Sequence, residues 1–337
     1  MQKHLFSFGH GYTAQALSRV LPKADWAITG TTRKPEKLEQ MRQNNVTSLL
    51  WDSPDIDAAL ARADAVLISA GPDAQGDPVL GRFSSFFEQQ GHKLDWLGYL
   101  STTGVYGDHA GKWVDETTPL TPSTRRGQLR LEAEKAWQAL PDLPLHIFRL
   151  AGIYGSGRGP FSKVRQGTAQ RIIKPNQIFS RIHVADIAQV LKASLQSPNP
   201  GAIYNVCDDD PAPPQDVIGH AAALLNTPFP PEIAFEKADL SPMARSFYAE
   251  SKKVRNQRIK TELGVNLLYP SYRDGLPALL EEETKNQSYL NGARKGAMEN
   301  SSLSTRLLRP SRHSSARRIK MAHHFLLSAR RKIFEKS

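Results

Sequence analysis

Leu5-Phe6-Ser7-Phe8-Gly9-His10-Gly11-Tyr12-Thr13-Ala14 stands close to the start of the chain. A short apolar run ends in Gly-x-Gly, and beyond it Ala14, Leu17 and Leu21 fall on one face of a helix. In a strand–turn–helix of this kind the first glycine makes the tight turn. The second lets backbone approach a pyrophosphate, and a small third residue, here Ala14, lets the helix pack on the strand. The opening turn of the helix then offers free N–H groups and partial positive charge to phosphate oxygens. The alternative is a glycine turn that merely joins strand to helix. The alternation of strands and helices beyond Ala14 decides for a dinucleotide site, with Gly9, His10, Gly11, Tyr12 and Thr13 as its first residues.

Short apolar runs at 26–30, 48–51, 65–70, 97–101 and 145–150 alternate with helix-like stretches at 35–44 and 131–140. The runs lack two-residue alternation, which predicts strands buried on both faces of a parallel sheet. The expected fold is therefore α/β, a Rossmann-type doubly wound parallel sheet. After Ala151 the pattern breaks into shorter elements between Gly- and Pro-rich loops, which predicts a smaller C-terminal substrate lobe, mainly 151–180 and 207–284, interleaved with the last strands. The Rossmann unit with this lobe is expected to span 1–284.

An NAD site places an acidic residue at the end of the second strand to grip the ribose 2′-hydroxyl. Here the chain reads Thr29-Gly30-Thr31-Thr32-Arg33-Lys34. A guanidinium pairs with a 2′-phosphate in bidentate fashion, so Arg33 favours NADP, with NAD as the alternative. A solvated basic loop is the other reading of this stretch. Asp52, after the third strand, is placed to reach the adenine edge, or to cap a helix. Ser69, Ala70 and Gly71, after the fourth, are placed beside the cofactor.

The formal charge of +11 suggests nucleic acid or an anionic surface. Its distribution redirects that inference. Residues 285–337 carry 13 Lys+Arg against 2 Asp+Glu, leaving 31 of each sign in the first 284 residues. The charge belongs to a basic tail, expected to be largely disordered, with Ile319, Ala322, Leu326, Ala329 and Ile333 spaced as one seam of an amphipathic helix over 317–335. Nucleic acid or an anionic surface is expected only through that tail. A lone Cys207 excludes an internal disulfide and is compatible with a reducing, cytoplasmic setting. No run of about 18 apolar residues that could span a bilayer occurs. There is no metal-ligand spacing and no Gly-x-Ser-x-Gly elbow.

Four further stretches carry a family resemblance. They are Leu100-Ser101-Thr102-Thr103-Gly104-Val105-Tyr106-Gly107-Asp108, Arg149-Leu150-Ala151-Gly152-Ile153-Tyr154-Gly155, Arg181-Ile182-His183-Val184-Ala185-Asp186-Ile187-Ala188 and Tyr204-Asn205-Val206. In order and spacing the chain resembles the extended and atypical short-chain dehydrogenase/reductases, the NAD-dependent epimerase/dehydratase family, and within it the YeeZ-like branch. The resemblance implies an oxidoreductase or epimerase/dehydratase acting on a small molecule, such as a nucleotide sugar or carbonyl compound, as monomer or homodimer.

It also exposes a departure. Members use a tyrosine acid, assisted by a lysine four residues later and a Ser/Thr hydroxyl. Aligning Glu134 with the family's glutamate puts Arg126 at the tyrosine and Arg130 at the lysine. Arg126 cannot donate a proton near neutrality. Arg130 retains the capacity to bond the nicotinamide ribose, and Thr102 stands at the hydroxyl position. Thr102 and Arg130 are thus the catalytic candidates. Tyr106, Tyr154, His183 and Lys163 are expected in segments near the cleft, the first three as packing or capping residues. The competing reading is a catalytically silent NADPH-binding sensor or scaffold.

Overall fold

Seven strands, β1 (Lys3–Phe8), β2 (Trp26–Thr32), β3 (Thr47–Leu50), β4 (Ala65–Ile68), β5 (Trp96–Thr102), β6 (Leu145–Leu150) and β7 (Ile203–Val206), pair in parallel throughout. Their order is β7-β6-β5-β4-β1-β2-β3. The computed structural model describes residues 2–285. Every residue of β4 and β6 is buried, the expected outcome for strands covered on both faces.

The strands are joined by α1 (Tyr12–Val20), α2 (Leu38–Gln43), α3 (Ile56–Leu60), α4 (Pro78–Gln90) and α5 (Arg125–Gln138). Further along the chain come α6 (Phe161–Arg165), α7 (Val184–Gln196), α8 (Pro214–Leu224) and α9 (Pro242–Phe247). Successive side chains of each strand serve opposite cores. Leu5 and Leu67 join Leu17, Ile187 and Leu191 on the α1/α7 side. Phe6, Phe8 and Val66 join Phe83, Phe87 and Trp137 on the α4/α5 side. Ala16 and Ala188, with Val184, form the small contact between α1 and α7. A third core belongs to the lobe, where Phe161, Val164, Val217 and Ala221 meet Tyr272, Leu276 and Leu279.

The sheet order reverses between β1 and β4, and ligands of open α/β sheets bind at such a point, beyond the strand C-termini. One element differs from the sequence expectation. The helix anticipated over 131–140 begins at Arg125. Thr124 caps it by accepting from Gly127 N at 3.2 Å, and Gly127 is needed because a Cβ there would lie 2.7 Å from Gly104 O. Its first turn has no apolar face, so periodicity does not reveal it.

The chain divides into two compact units, Met1–Glu283 and Thr284–Ser337. The basic tail and its amphipathic stretch at 317–335 lie outside the described residues.

Candidate functional site

Gly9 turns at φ +75°, and a Cβ there would press to 3.0 Å on Ala70 N. Gly9 N donates to Thr31 Oγ1 at 2.9 Å. Ser69 N and Ala70 N both donate to Phe8 O, at 2.9 and 3.1 Å. Thus β1, β2 and β4 lock the turn at the switch point. A Cβ on Gly11, by contrast, would meet only Gly9 O at 3.7 Å. Gly11 caps α1 without a side-chain bond, so open space faces the helix N-terminus. Thr13 lines the cleft there. These features fit a pyrophosphate. The His10 side chain turns inward instead. Its ring lies against Gly30, where a Cβ would come within 2.6 Å, and neither ring nitrogen finds a partner. Burial, with Arg19 nearby, lowers its pKa to about 4.

Past the end of β2, Arg33 lies exposed with its guanidinium 5.7 Å from the centre of the Trp51 ring. Arg82, on α4, approaches the same ring at 5.8 Å and donates to the Trp51 carbonyl. Two guanidiniums therefore lie over the indole that comes directly after β3. Asp52 is exposed beside them.

At the end of β5, Thr102 is half-buried and accepts from Gly104 N at 3.1 Å. Its hydroxyl proton is left for another acceptor in the cleft. Arg130 donates to the Leu100 carbonyl and reaches Tyr99 Oη at 3.4 Å. A Cβ on Gly71 would lie 3.1 Å from the Arg130 guanidinium, so the structure brings Arg130, Ser69 and Thr102 to one cleft. Arg126 lines the same cleft. Desolvation and the charge of Arg130 lower its pKa.

Beneath these residues lies a buried polar network. Arg149 pairs with Glu134 at 2.8 Å, and both are nearly fully buried. Ser101 Oγ donates to Glu134. Arg149 also donates to Tyr106 Oη at 3.0 Å, and Tyr106 donates to Asn205 at 2.7 Å. Residues from β5, α5, β6 and β7 are thereby tied together. Burial raises the Tyr106 pKa to about 12, so its phenol serves this network. Tyr154 donates to Ser271 O at 3.3 Å. His183 caps α7, accepting from Ala185 N at 3.2 Å, and Asp186 accepts from Leu268 N and Tyr269 N at 2.6 and 3.1 Å.

The cleft has a volume of about 1190 Å³ and runs from the strand ends into the lobe. Arg158 and Lys163 line it from the lobe side. Arg158 stacks on Tyr12 at 4.4 Å, and Tyr12 Oη donates to Ser156 O at 2.9 Å. The Tyr12 side chain thus ties the glycine turn to the loop at 155–158. Among the described residues no cluster of His, Cys, Asp and Glu could hold a metal. Nor is any helix among them long and apolar enough to cross a membrane.

No family model matches the chain. Protein YeeZ of Escherichia coli strain K12 is 30% identical over 275 residues, covering 78% of this chain and 94% of that protein. The chain belongs to the YeeZ family. A functionally unknown conserved protein from Silicibacter pomeroyi is 58% identical in structure-based alignment, with a TM-score of 0.80 over 83% of this chain and 99% of that one. A human epimerase family protein, solved with NADPH, shares the fold at a TM-score of 0.66 and 18% identity, over 82% of this chain and 99% of its own. The family's seven-stranded Rossmann-like sheet is therefore shared with epimerase-type proteins.

Sequence reasoning missed Arg82, Arg158 and the buried role of Glu134. Arg82 lies 49 positions from Arg33, and no motif connects them. A signal for Glu134 did exist. It stands on the strongly polar helix α5, yet is buried, and a buried carboxylate requires a partner.

Proposed function

We propose that the protein is an NADP-dependent oxidoreductase acting on a small molecule. The observation that carries this reading is the pair of guanidiniums on Trp51, Arg33 at 5.7 Å and Arg82 at 5.8 Å. They stand where the Rossmann fold presents the adenosine ribose, and no carboxylate stands at the end of β2 to select a 2′-hydroxyl. Proteins of the same fold have been solved with NADPH and with NAD, so the fold is compatible with either cofactor and the two guanidiniums carry the choice.

In this reading the N–H groups opening α1 hold the pyrophosphate, and Arg33 with Arg82 holds the 2′-phosphate. Asp52 faces the adenine edge, and Ser69, Ala70 and Gly71 run beside the cofactor. When bound, the nicotinamide supplies or accepts a hydride. Arg130, fixed by the Leu100 carbonyl, bonds the nicotinamide ribose. Thr102, whose oxygen already accepts from Gly104 N, donates to the substrate oxygen. Arg126 remains a cation and stabilises negative charge rather than giving a proton. We place the protein in the cytoplasm, in keeping with its lone, buried Cys207.

Titrating the purified chain with NADPH and NADH tests the reading. NADPH should bind more tightly, and Arg33→Asp should remove most of that preference. Equal affinity in the unmutated protein would overturn it. A second reading, a silent NADPH-binding sensor or scaffold, is favoured by the commitment of Tyr106 to its network. NADPH binding without turnover across carbonyl and sugar-nucleotide panels would select it. Turnover reduced by Thr102→Ala would select the enzyme.

A further inference from the structure

At least ten ion pairs form among the described residues. Arg165 bonds Glu283 at 2.6 Å, Arg171 bonds Glu232 at 2.9 Å, and Arg258 bonds Glu262 at 2.5 Å. The cleft is different. Arg126, Arg158 and Lys163 line it, and none forms an ion pair among the described residues. Of the two carboxylates lining the cleft, Glu250 is already taken by Lys252 at 2.7 Å and Ser123 at 2.7 Å, while Asp239 is exposed and forms no ion pair with any of these three cations among the described residues. Arg126 also stands in the first turn of the fourteen-residue α5, where the helix end adds positive potential. Uncompensated cations at a concave site call for an anionic ligand.

The opposite wall has another character. Met243 and Phe247 of α9 are 71% and 52% exposed, and both line this cleft. The polar side chains of the same helix are turned onto backbone. Arg245 donates to Ala238 O at 2.9 Å, and Ser246 donates to Met243 O at 2.7 Å. Thus α9 offers apolar surface and few hydrogen bonds, a poor match for a polyhydroxylated sugar. Behind it Tyr248 and Phe179 meet edge-on at 5.5 Å, extending the wall with rings.

We propose that the substrate of this site is an apolar carboxylate, a small aromatic or aliphatic acid whose carboxylate meets Arg126 while its body lies on Met243 and Phe247. The proposal rests on the oxidoreductase reading above, in that a carbonyl elsewhere on the same acid takes a hydride at carbon from NADPH and a proton at oxygen from solvent to become an alcohol, NADP+ leaving, while the carboxylate is bound and not reduced. It also gives the arginine at the acid's position a task. A guanidinium binds a carboxylate in bidentate fashion, which a phenol cannot do.

The test is calorimetric titration of the full chain, with and without NADPH, using 2-naphthoate, the neutral 2-naphthalenemethanol and uridine diphosphate as probes. Naphthoate should bind about tenfold more tightly than the alcohol, the worth of one charge-assisted contact. Arg126→Gln should abolish that advantage and leave the alcohol's affinity unchanged. Phe247→Ser should weaken both naphthyl probes by roughly equal factors. Uridine diphosphate binding more tightly than naphthoate would overturn the proposal in favour of a nucleotide site. So would naphthoate affinity indifferent to Arg126→Gln. Naphthoate binding without any NADPH binding would sink the redox reading and leave the acid site standing; NADPH binding without naphthoate would do the reverse. NADPH affinity and thermal melting of each variant confirm that its fold is intact.

Discussion

Two ends of the strand-terminal edge use arginine in different ways. At one end, past β2 and β3 and outside the residues that line the cleft, Arg33 and Arg82 lie over the ring of Trp51, and Arg82 is anchored by the Trp51 carbonyl. At the other, Arg126 and Arg130 line the cleft from α5, where the family resemblance puts a proton-donating tyrosine and its lysine. Arg130 is anchored by a strand carbonyl, whereas Arg126 has no hydrogen-bond partner among the described residues. The support under that second end is nevertheless complete. Glu134, Arg149, Tyr106 and Asn205 form a closed buried network directly below it. Arg126 and Arg130 face the cleft, whereas Glu134, Arg149, Tyr106 and Asn205 hold the strands and α5 together. The two sets answer to different physics. Cleft residues answer to a ligand, and buried charges answer to each other.

If that division is right, the largest effect belongs to the buried network. Arg149→Met should destabilise the fold by about 3–5 kcal/mol, because it strands the Glu134 carboxylate in the interior. Chemical denaturation measures it. A loss below about 1 kcal/mol would mean that water reaches Glu134 and that the network is not the strut described. The exposed Arg126 should tolerate replacement with little change in stability.

A pH scan of stability tests the buried titratable groups in the same way. Asp208, just past β7, is buried with both carboxylate oxygens unpartnered. Burial, partly offset by Arg181, raises its pKa from 3.8 to about 8. The folded chain therefore holds a proton there that the unfolded chain has released, so the Asp208 contribution to stability falls as pH rises from about 4 to about 8, and it is read free of the histidines above about pH 6.5. Asp208→Asn should flatten that limb, by an amount on the order of 2 kcal/mol once water entry relieves part of the penalty. On the acid side, His10, His146 and His183 have pKa values lowered by burial from 6.5 to about 4. The unfolded chain takes up protons first, so stability should fall as pH drops from 6.5 towards 4, and Asp208→Asn should leave this histidine contribution unchanged. An alkaline limb identical in wild type and variant would remove Asp208 from the account.

The smallest expected effect is the most selective. Arg82→Ala should weaken NADPH about tenfold, or about 1.4 kcal/mol, and leave NADH unaffected. Arg126→Ala should alter neither. Isothermal titration of the four combinations suffices. If Arg126→Ala costs NADPH affinity as much as Arg82→Ala does, the two ends are not separate sites.

From its residues alone the chain declared its sheet, its glycine turn and the absence of an acid after β2; that arginines stand in place of a tyrosine–lysine pair came only from the family resemblance. Each is a short-range property. Apolar runs without alternation specify burial on two faces, and Gly9 and Gly11 permit a backbone path open to few other residues. What only the tertiary structure decided is which distant side chains meet. Arg82 reaches Trp51 because α4 returns across the sheet beside the ends of β1, β2 and β3. Glu134 reaches Arg149 because α5 starts six residues before its apolar face suggests and packs Gly127 on Gly104. His10 belongs to the glycine pattern in sequence, yet its ring fills the space left by Gly30. Strand order and helix docking set these contacts, and neither is encoded within the few residues that a motif spans.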